Sequence, residues 1–255
     1  MGSVPIYSFD TVAGADRVTL MPRSARVVVP AYPHHVTQRG NNRQDVFFVD
    51  DDRRTFIDLL RESCGRFGMR LEAYCLMTNH VHLVTIPARE DSLGLAFKWV
   101  NQIYAQYIND LHDRSGHLWE DRFFSCPLDD PHYWRAMAYV ERNPVRAGIV
   151  PNAWAYSWSS AAAHCGEQDK SGLLDMRAWT GEMGPGVGVN TDDWKEVLTR
   201  PEDEIVIARL RSSTRRGRPL GSDSFISKLE SLVGRRLRAQ PRGRPLQEND
   251  VDRVE

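Results

Sequence analysis

The sequence is short of several features, and each absence narrows what the chain is. No run approaches the ~18 consecutive apolar residues of a membrane span, which argues against a helical anchor. Residues 1–20 have neither a basic start nor an apolar stretch, so they do not read as a secretory leader. Cysteine is sparse: Cys64, Cys75, Cys126 and Cys165 form no C-x-x-C pair. A disulfide framework or an all-cysteine zinc site is therefore not expected, and a reducing cytoplasm is. A P-loop motif is missing, which argues against an attached helicase. Net charge is also nearly absent, at −1 over 255 residues. What is present, 41% hydrophobic and 26% charged residues, suffices for a folded core. The length allows one large domain or one domain with an appendage.

The small net charge conceals an asymmetry. Between Ile205 and Pro245 there are eleven Lys/Arg and two acidic residues, a local +9, which leaves about −10 for the remainder. A basic segment on a mildly acidic body suggests a polyanionic partner, most simply nucleic acid, with a solvated tail as the alternative. Within it, Arg216-Gly217-Arg218-Pro219-Leu220 recurs as Arg242-Gly243-Arg244-Pro245-Leu246, the one internal repeat. This R-G-R-P pair looks like the core of AT-hook peptides, whose arginines lie flat in a narrow minor groove.

Element order is readable from periodicity. His35 to Arg39 reads as a strand ended by the turn cluster Gly40-Asn41-Asn42. Asp50-Asp51-Asp52 places negative charge at the positive end of a helix that Gly68 should stop. Leu71–Met77 and His80–Ile86 read as a hairpin across Thr78-Asn79. A long helix from Ser92 to Leu111 carries Leu93, Phe97, Val100, Tyr104, Tyr107 and Leu111 on one stripe. A fourth strand is expected over Leu118–Leu128. Asp130-Pro131 then caps a helix that Pro144 should end at about Arg142. Strand, helix, strand, strand, helix, strand is the split βαβ order of a ferredoxin-like α+β fold, an antiparallel sheet with helices on one face. The helix after it is extra. Trp154, Tyr156 and Trp158 suggest a wrap over the core, residues 166–190 read as loop, 191–210 are expected to contain one short helix, and Phe225, Leu229, Leu232 and Val233 have helical spacing.

Two features carry chemistry. His80-Val81-His82 alternates on a strand, so both imidazoles share a face and suit a divalent metal; two unrelated surface histidines would look the same. Tyr139 and Asn143 lie four apart on a helix, which puts both on one side; a core aromatic and a helix breaker would also fit. Arg142 and Arg146 flank the pair and are candidates for phosphate binding. Combined, they make a coherent site. A phenol with a pKa of ~10 is a weak nucleophile. A metal held by two imidazoles and an amide oxygen would make a phosphodiester electrophilic and stabilise its transition state. Attack would leave a covalent phosphotyrosine that conserves the bond for rejoining.

The surroundings of these residues resemble a known family. Tyr74-Cys75-Leu76-Met77-Thr78-Asn79-His80-Val81-His82-Leu83-Val84 is similar to the histidine–hydrophobic–histidine (HUH) motif of single-tyrosine transposases, with Thr78 where common relatives carry Pro. Val36-Thr37-Gln38-Arg39-Gly40-Asn41 resembles their first strand, and Tyr139 to Gly148 their tyrosine helix. The nearest branch is the REP-associated tyrosine transposases of bacteria (IS200-like). The resemblance implies cleavage and rejoining of single-stranded DNA at palindromic repeat hairpins through a 5′-phosphotyrosine. It implies Tyr139 as nucleophile, and His80, His82 and Asn143 as ligands of Mg²⁺ or Mn²⁺. DNA contacts are expected from Arg39, Asn41, Arg142 and Arg146, and from Arg215, Arg216, Arg218, Arg235, Arg236, Arg242 and Arg244 of the basic segment.

The expected organisation is an extension over 1–20, a catalytic domain over 21–165, a loop-rich linker over 166–204 and a basic DNA-binding tail over 205–255. Removing residues 212–255 should then leave the chemical centre intact. Competing functions are a non-catalytic DNA-binding regulator derived from a transposase, a metal hydrolase using water, and a replication or conjugation nickase. The expected partner is single-stranded or hairpin DNA, with no membrane, and the expected location is the cytoplasm at the nucleoid; monomer and homodimer both stay open.

Overall fold

The computed structural model describes residues 26–177, 179 and 190–238. Residues 1–20 and the second R-G-R-P copy, with Arg242 and Arg244, lie outside these. The elements run β1 (His34–Arg39), α1 (Asp50–Phe67), β2 (Met69–Met77), β3 (His80–Pro87), α2 (Ser92–Leu111), β4 (Phe124–Pro127) and α3 (Asp130–Glu141). They continue with α4 (Asn143–Arg146), α5 (Ala161–His164), α6 (Thr191–Thr199), α7 (Glu204–Arg216) and α8 (Asp223–Val233). The sheet is antiparallel in the order β2-β3-β1-β4, which is the ferredoxin-like arrangement.

Local chemistry explains the boundaries. Asp52 sits in the first turn of α1, and its carboxylate accepts from Phe48 N and Val49 N at 2.7 and 3.0 Å. Gly68 ends the helix at φ 67°, a left-handed conformation that costs glycine little. Gly40 is needed for space, since a Cβ there would lie 2.2 Å from the Gln44 carbonyl oxygen.

Helices cover both faces of the sheet, not one. On the first face, Val36, Leu76, Val81 and Leu83 pack with Phe56, Leu60, Phe97 and Tyr104 of α1 and α2. On the second, Ala73, Cys75, Met77 and Val84 pack with Ala136, Met137 and Val140 of α3. The register shift between Leu71 and Ala73 sends those neighbours into different cores. Leu111, placed on the apolar stripe of α2, is 55% exposed, while Ile108 is buried in its stead. β2 would be an open edge, but the Trp158 carbonyl accepts from Leu76 N and Ser160 N donates to the Tyr74 carbonyl.

Three expected boundaries move. β4 spans only four residues, because Glu120 N bonds Arg39 O and the Asp121 carboxylate accepts from Arg122 N, turning the chain before the ladder forms. The cap of α3 is Asp129, whose Oδ1 accepts from His132 N, so Asp130 is already helical. Pro144 does not turn the chain away. Asn143 Nδ2 donates to the Tyr139 and Val140 carbonyls at 3.1 Å, replacing bonds that the turn loses at proline, and α4 continues right-handed.

The basic segment is largely folded as far as residue 238. Ile207 and Leu210 of α7 join the second core, and Leu220 N bonds the Pro127 carbonyl. Gly217 of the first R-G-R-P copy is the left-handed stop of α7, so this copy is built into the fold rather than presented as an extended groove peptide. Leu229 of α8 and Leu237 pack on Val27 and Val29. Deletion from residue 212 would cut α7 in half and remove Thr214, which is 1% exposed.

Candidate active site

The alternation of β3 aims His80 and His82 at the second face, where α3 crosses and brings Tyr139 over them. A cleft of about 560 Å³ is lined by His80, His82, Tyr139 and Asn143 together with Arg39, Arg146 and Arg215. The His80 and His82 rings lie 5.0 Å apart at 85°, and the Tyr139 ring meets His82 edge-on at 5.4 Å. Tyr139 is 5% exposed, yet its Oη reaches the cleft and accepts from Arg211 Nε at 3.2 Å.

The histidines are held in defined orientations. Asn79 Nδ2 donates to the Arg43 carbonyl, so its Oδ1 faces His80 Nδ1 at 2.6 Å and accepts from it. On the other side, Thr214 Oγ1 donates to the Leu210 carbonyl at 2.9 Å and lies 2.7 Å from His35 Nδ1. His35 Nε2 is 3.0 Å from His82 Nδ1, with the two rings stacked at 5.2 Å. One set of donor directions satisfies every pair: His82 Nδ1–H to His35 Nε2, then His35 Nδ1–H to Thr214 Oγ1. Both His80 and His82 then keep an Nε2 lone pair for a ligand.

Burial keeps these imidazoles neutral. His80 is lowered to about 4 by desolvation and by the Arg39 charge, and His35 to about 3 by desolvation. His82 is lowered well below its ordinary value by desolvation and then by its histidine neighbours. Neutral, pre-oriented imidazoles fit a divalent cation. Among the described residues no group of three or more His, Cys, Asp and Glu could hold a metal, so a third protein donor would have to be of another residue type. Asn143 could offer one: it lines the cleft, and its amide oxygen accepts from Arg146 Nη1 at 2.9 Å, leaving a second lone pair.

The expected phosphate-binding residues divide. Arg39 is exposed at the cleft wall, and Arg215 lines the cleft from α7. Arg146 is in the cleft but is engaged by Glu202 through two bonds of 2.6 and 2.9 Å, and Arg142 lies 4.0 Å from the same carboxylate. Their charge is thus partly compensated within the fold. Asn41 sits outside the cleft in a short turn, where its N–H bonds the Leu118 carbonyl. Arg215, Arg216, Arg218, Arg235 and Arg236 converge with Arg26, Arg122 and Arg238 on a second cleft of about 390 Å³, with Asp121 as its acidic member. Phe124, Thr214 and Arg215 line both clefts, which are therefore adjacent.

His35, Arg211 and Thr214 were not singled out from the sequence. His35 shares a strand face with Thr37 and Arg39, and the pairing of Thr37 with His82 puts it diagonal to the histidine pair. That register was the signal, and it exists only once the strands are paired. For Arg211 and Thr214 no local signal exists, since they arrive from a helix 179 residues after β1 in the His35–Thr214 contact.

Residues 28–143 match the family model described as "Transposase IS200 like". A REP-associated tyrosine transposase, solved bound to a REP hairpin, superposes with a TM-score of 0.50 at 16% identity, covering 67% of this chain and 98% of that one. A protein assigned as a transposase in Deinococcus radiodurans R1 aligns at 19% identity over 47% of this chain and 95% of its own, with a TM-score of 0.34. No curated protein matches significantly. Residues 28–143 are therefore similar to the IS200-like transposase family, on a fold similar to that of the REP-associated tyrosine transposase.

Proposed function

We propose that this chain cleaves and rejoins single-stranded DNA at palindromic hairpins, with Tyr139 as the nucleophile and a 5′-phosphotyrosine as the intermediate. The observation that carries this reading is the edge-on contact of Tyr139 with His82 in a cleft that also holds His80 and Asn143. His80, His82 and Asn143 would hold Mg²⁺ or Mn²⁺, which supplies Lewis-acid neutralisation of the scissile phosphate. The chain's own residues do the rest. The His35–His82 stack and the T-shaped His35–Tyr139 contact fix the ring of Tyr139, so its hydroxyl is presented in one direction. Arg39 and Arg215 offer positive charge at the cleft wall for the backbone on either side of the scissile phosphate.

The arginine-lined second cleft is the natural seat for the flanking backbone, because it adjoins the first and carries eight guanidinium groups. Hairpin DNA is favoured over an unstructured strand because the solved protein of similar fold is bound to a REP hairpin. The test is covalent capture. Full-length protein, Mn²⁺ and a pool of hairpin-bearing single strands with randomised flanks should give a protein–DNA adduct stable to SDS, at Tyr139 and the 5′ end. DNA binding without any adduct would favour the non-catalytic regulator. Cleavage without an adduct would favour water as the nucleophile.

A further inference from the structure

Arg211 lies on α7, sixty-eight residues beyond the end of the segment that matches the transposase family. Its Nε donates to Tyr139 Oη at 3.2 Å, and its guanidinium carbon stands 5.6 Å from the ring centroid. Two cations flank this tyrosine, and they differ. Arg146 is 4.5 Å from the ring centroid but is tied to Glu202 and to Asn143. Arg211 makes no ion pair among the described residues, and its Nη groups have no hydrogen-bond partner there. It is exposed and lines the same cleft. The rest of α7 is anchored through Ile207, Leu210 and Thr214, so Arg211 is presented by a packed helix.

We propose that Arg211 is a catalytic residue: its Nε–H holds the nucleophilic oxygen of Tyr139 while its free Nη groups take an oxygen of the scissile phosphate. This deepens, and rests on, the strand-cleavage reading above. A guanidinium is a planar fork of donors, so one side chain can hold both reactants at adjacent positions. In the step, Tyr139 gives its proton to solvent, the Oη–P bond forms and the P–O3′ bond breaks. The departing 3′ oxygen takes a proton from solvent, and the 5′ phosphate remains esterified to Tyr139. Arg211 transfers no proton. It fixes the approach and offsets charge that moves from the phenolic oxygen onto the phosphate, and in the rejoining direction it supports the phenolate as it leaves.

The experiment measures single-turnover adduct formation by full-length wild type, Arg211→Ala and Arg211→Lys on the same hairpin pool in Mn²⁺. Arg211→Ala should slow the adduct about 100-fold, the loss typical of one donor aimed at a reacting oxygen. DNA affinity by gel shift should fall about fivefold at most, as for one exposed contact. Added methylguanidinium should restore part of the lost rate in Arg211→Ala and leave wild type unchanged. Arg211→Lys keeps the charge but not the fork and should stay below wild type. Arg211→Ala cutting at the wild-type rate, or a slow variant that methylguanidinium does not rescue, would overturn the inference. A wild type that binds the pool but forms no adduct would instead overturn the underlying reading.

Discussion

Glu141 is wholly buried two residues beyond Tyr139, and its carboxylate accepts three hydrogen bonds. Oε1 receives Ser160 Oγ and His164 Nδ1, each at 2.5 Å, and Oε2 receives Trp194 Nε1 at 2.8 Å. Through them the end of α3 is tied to α5 and α6. Glu141→Gln preserves size and removes one acceptor. If the amide oxygen stays on Ser160 and His164, its NH₂ faces the indole N–H of Trp194, donor against donor. A lost bond to a charged group costs ~1.5–3 kcal/mol and an orphaned buried donor ~1–3, so the variant should lose about 2.5–6 kcal/mol. For a domain of this size each kcal/mol moves Tm by ~2–4 °C, which places the drop at roughly 5–24 °C. Differential scanning calorimetry reads it directly. A double-mutant cycle locates the cause: Trp194→Phe removes the opposing N–H, so the double variant should be more stable than the summed single losses by at least ~1 kcal/mol. An unchanged Tm in Glu141→Gln, or strict additivity in the cycle, would refute the argument that this carboxylate holds the tyrosine helix through its acceptors.

Other outcomes follow from the same geometry. Tyr139→Phe should abolish the covalent adduct while shifting Tm by only about 1–3 °C, since the single bond lost is to an exposed arginine; an SDS-stable adduct in this variant would exclude Tyr139 as the nucleophile. His80→Ala and His82→Ala should each lose metal-dependent cleavage, and normal cutting by either at low Mn²⁺ would remove that residue from the metal reading. Thr214→Val should weaken Mn²⁺ binding about tenfold by calorimetry while Thr214→Ser keeps it, because only the hydroxyl orients His35 and, through it, His82; equal affinities in the two variants would break that chain. Arg216→Ala with Arg236→Ala should flatten the salt dependence of single-strand binding by roughly 1.4 in log–log slope, at ~0.7 per phosphate contact, and an unchanged slope would remove the second cleft from DNA binding.

Much of the core domain was legible because its signals are local. Asp50 to Asp52, Gly68 and the 3.6-residue stripe of α2 give helix limits that the structure reproduces, and alternation places His80 and His82 on one face. Errors fell where side chains override backbone rules. The bonds from Asn143 Nδ2 let the chain pass Pro144 without leaving the helix, and the Asp121 turn shortened β4. The basic segment was less legible, although the helical spacing of Phe225, Leu229, Leu232 and Val233 does fall on α8. Its charge is conspicuous, but Ile207, Leu210, Leu220 and Leu229 are spaced as buried residues, and the arginines between them cover a folded surface. Charge density alone does not distinguish a solvated tail from the polar face of a packed helix.

The bond between His35 and Thr214 joins positions 179 residues apart, and this separation is also an interval in time. A chain synthesised at ~5–20 residues per second needs roughly 9–36 s to travel from one to the other. All four strands and the tyrosine helix leave the ribosome within that interval, before α7 exists. A nascent chain therefore presents its histidines and tyrosine unsupported by Thr214 and Arg211. Synthesis of α7 thus acts as a delay on assembly, leaving the cleft without one of its walls while the chain is still attached to its own messenger.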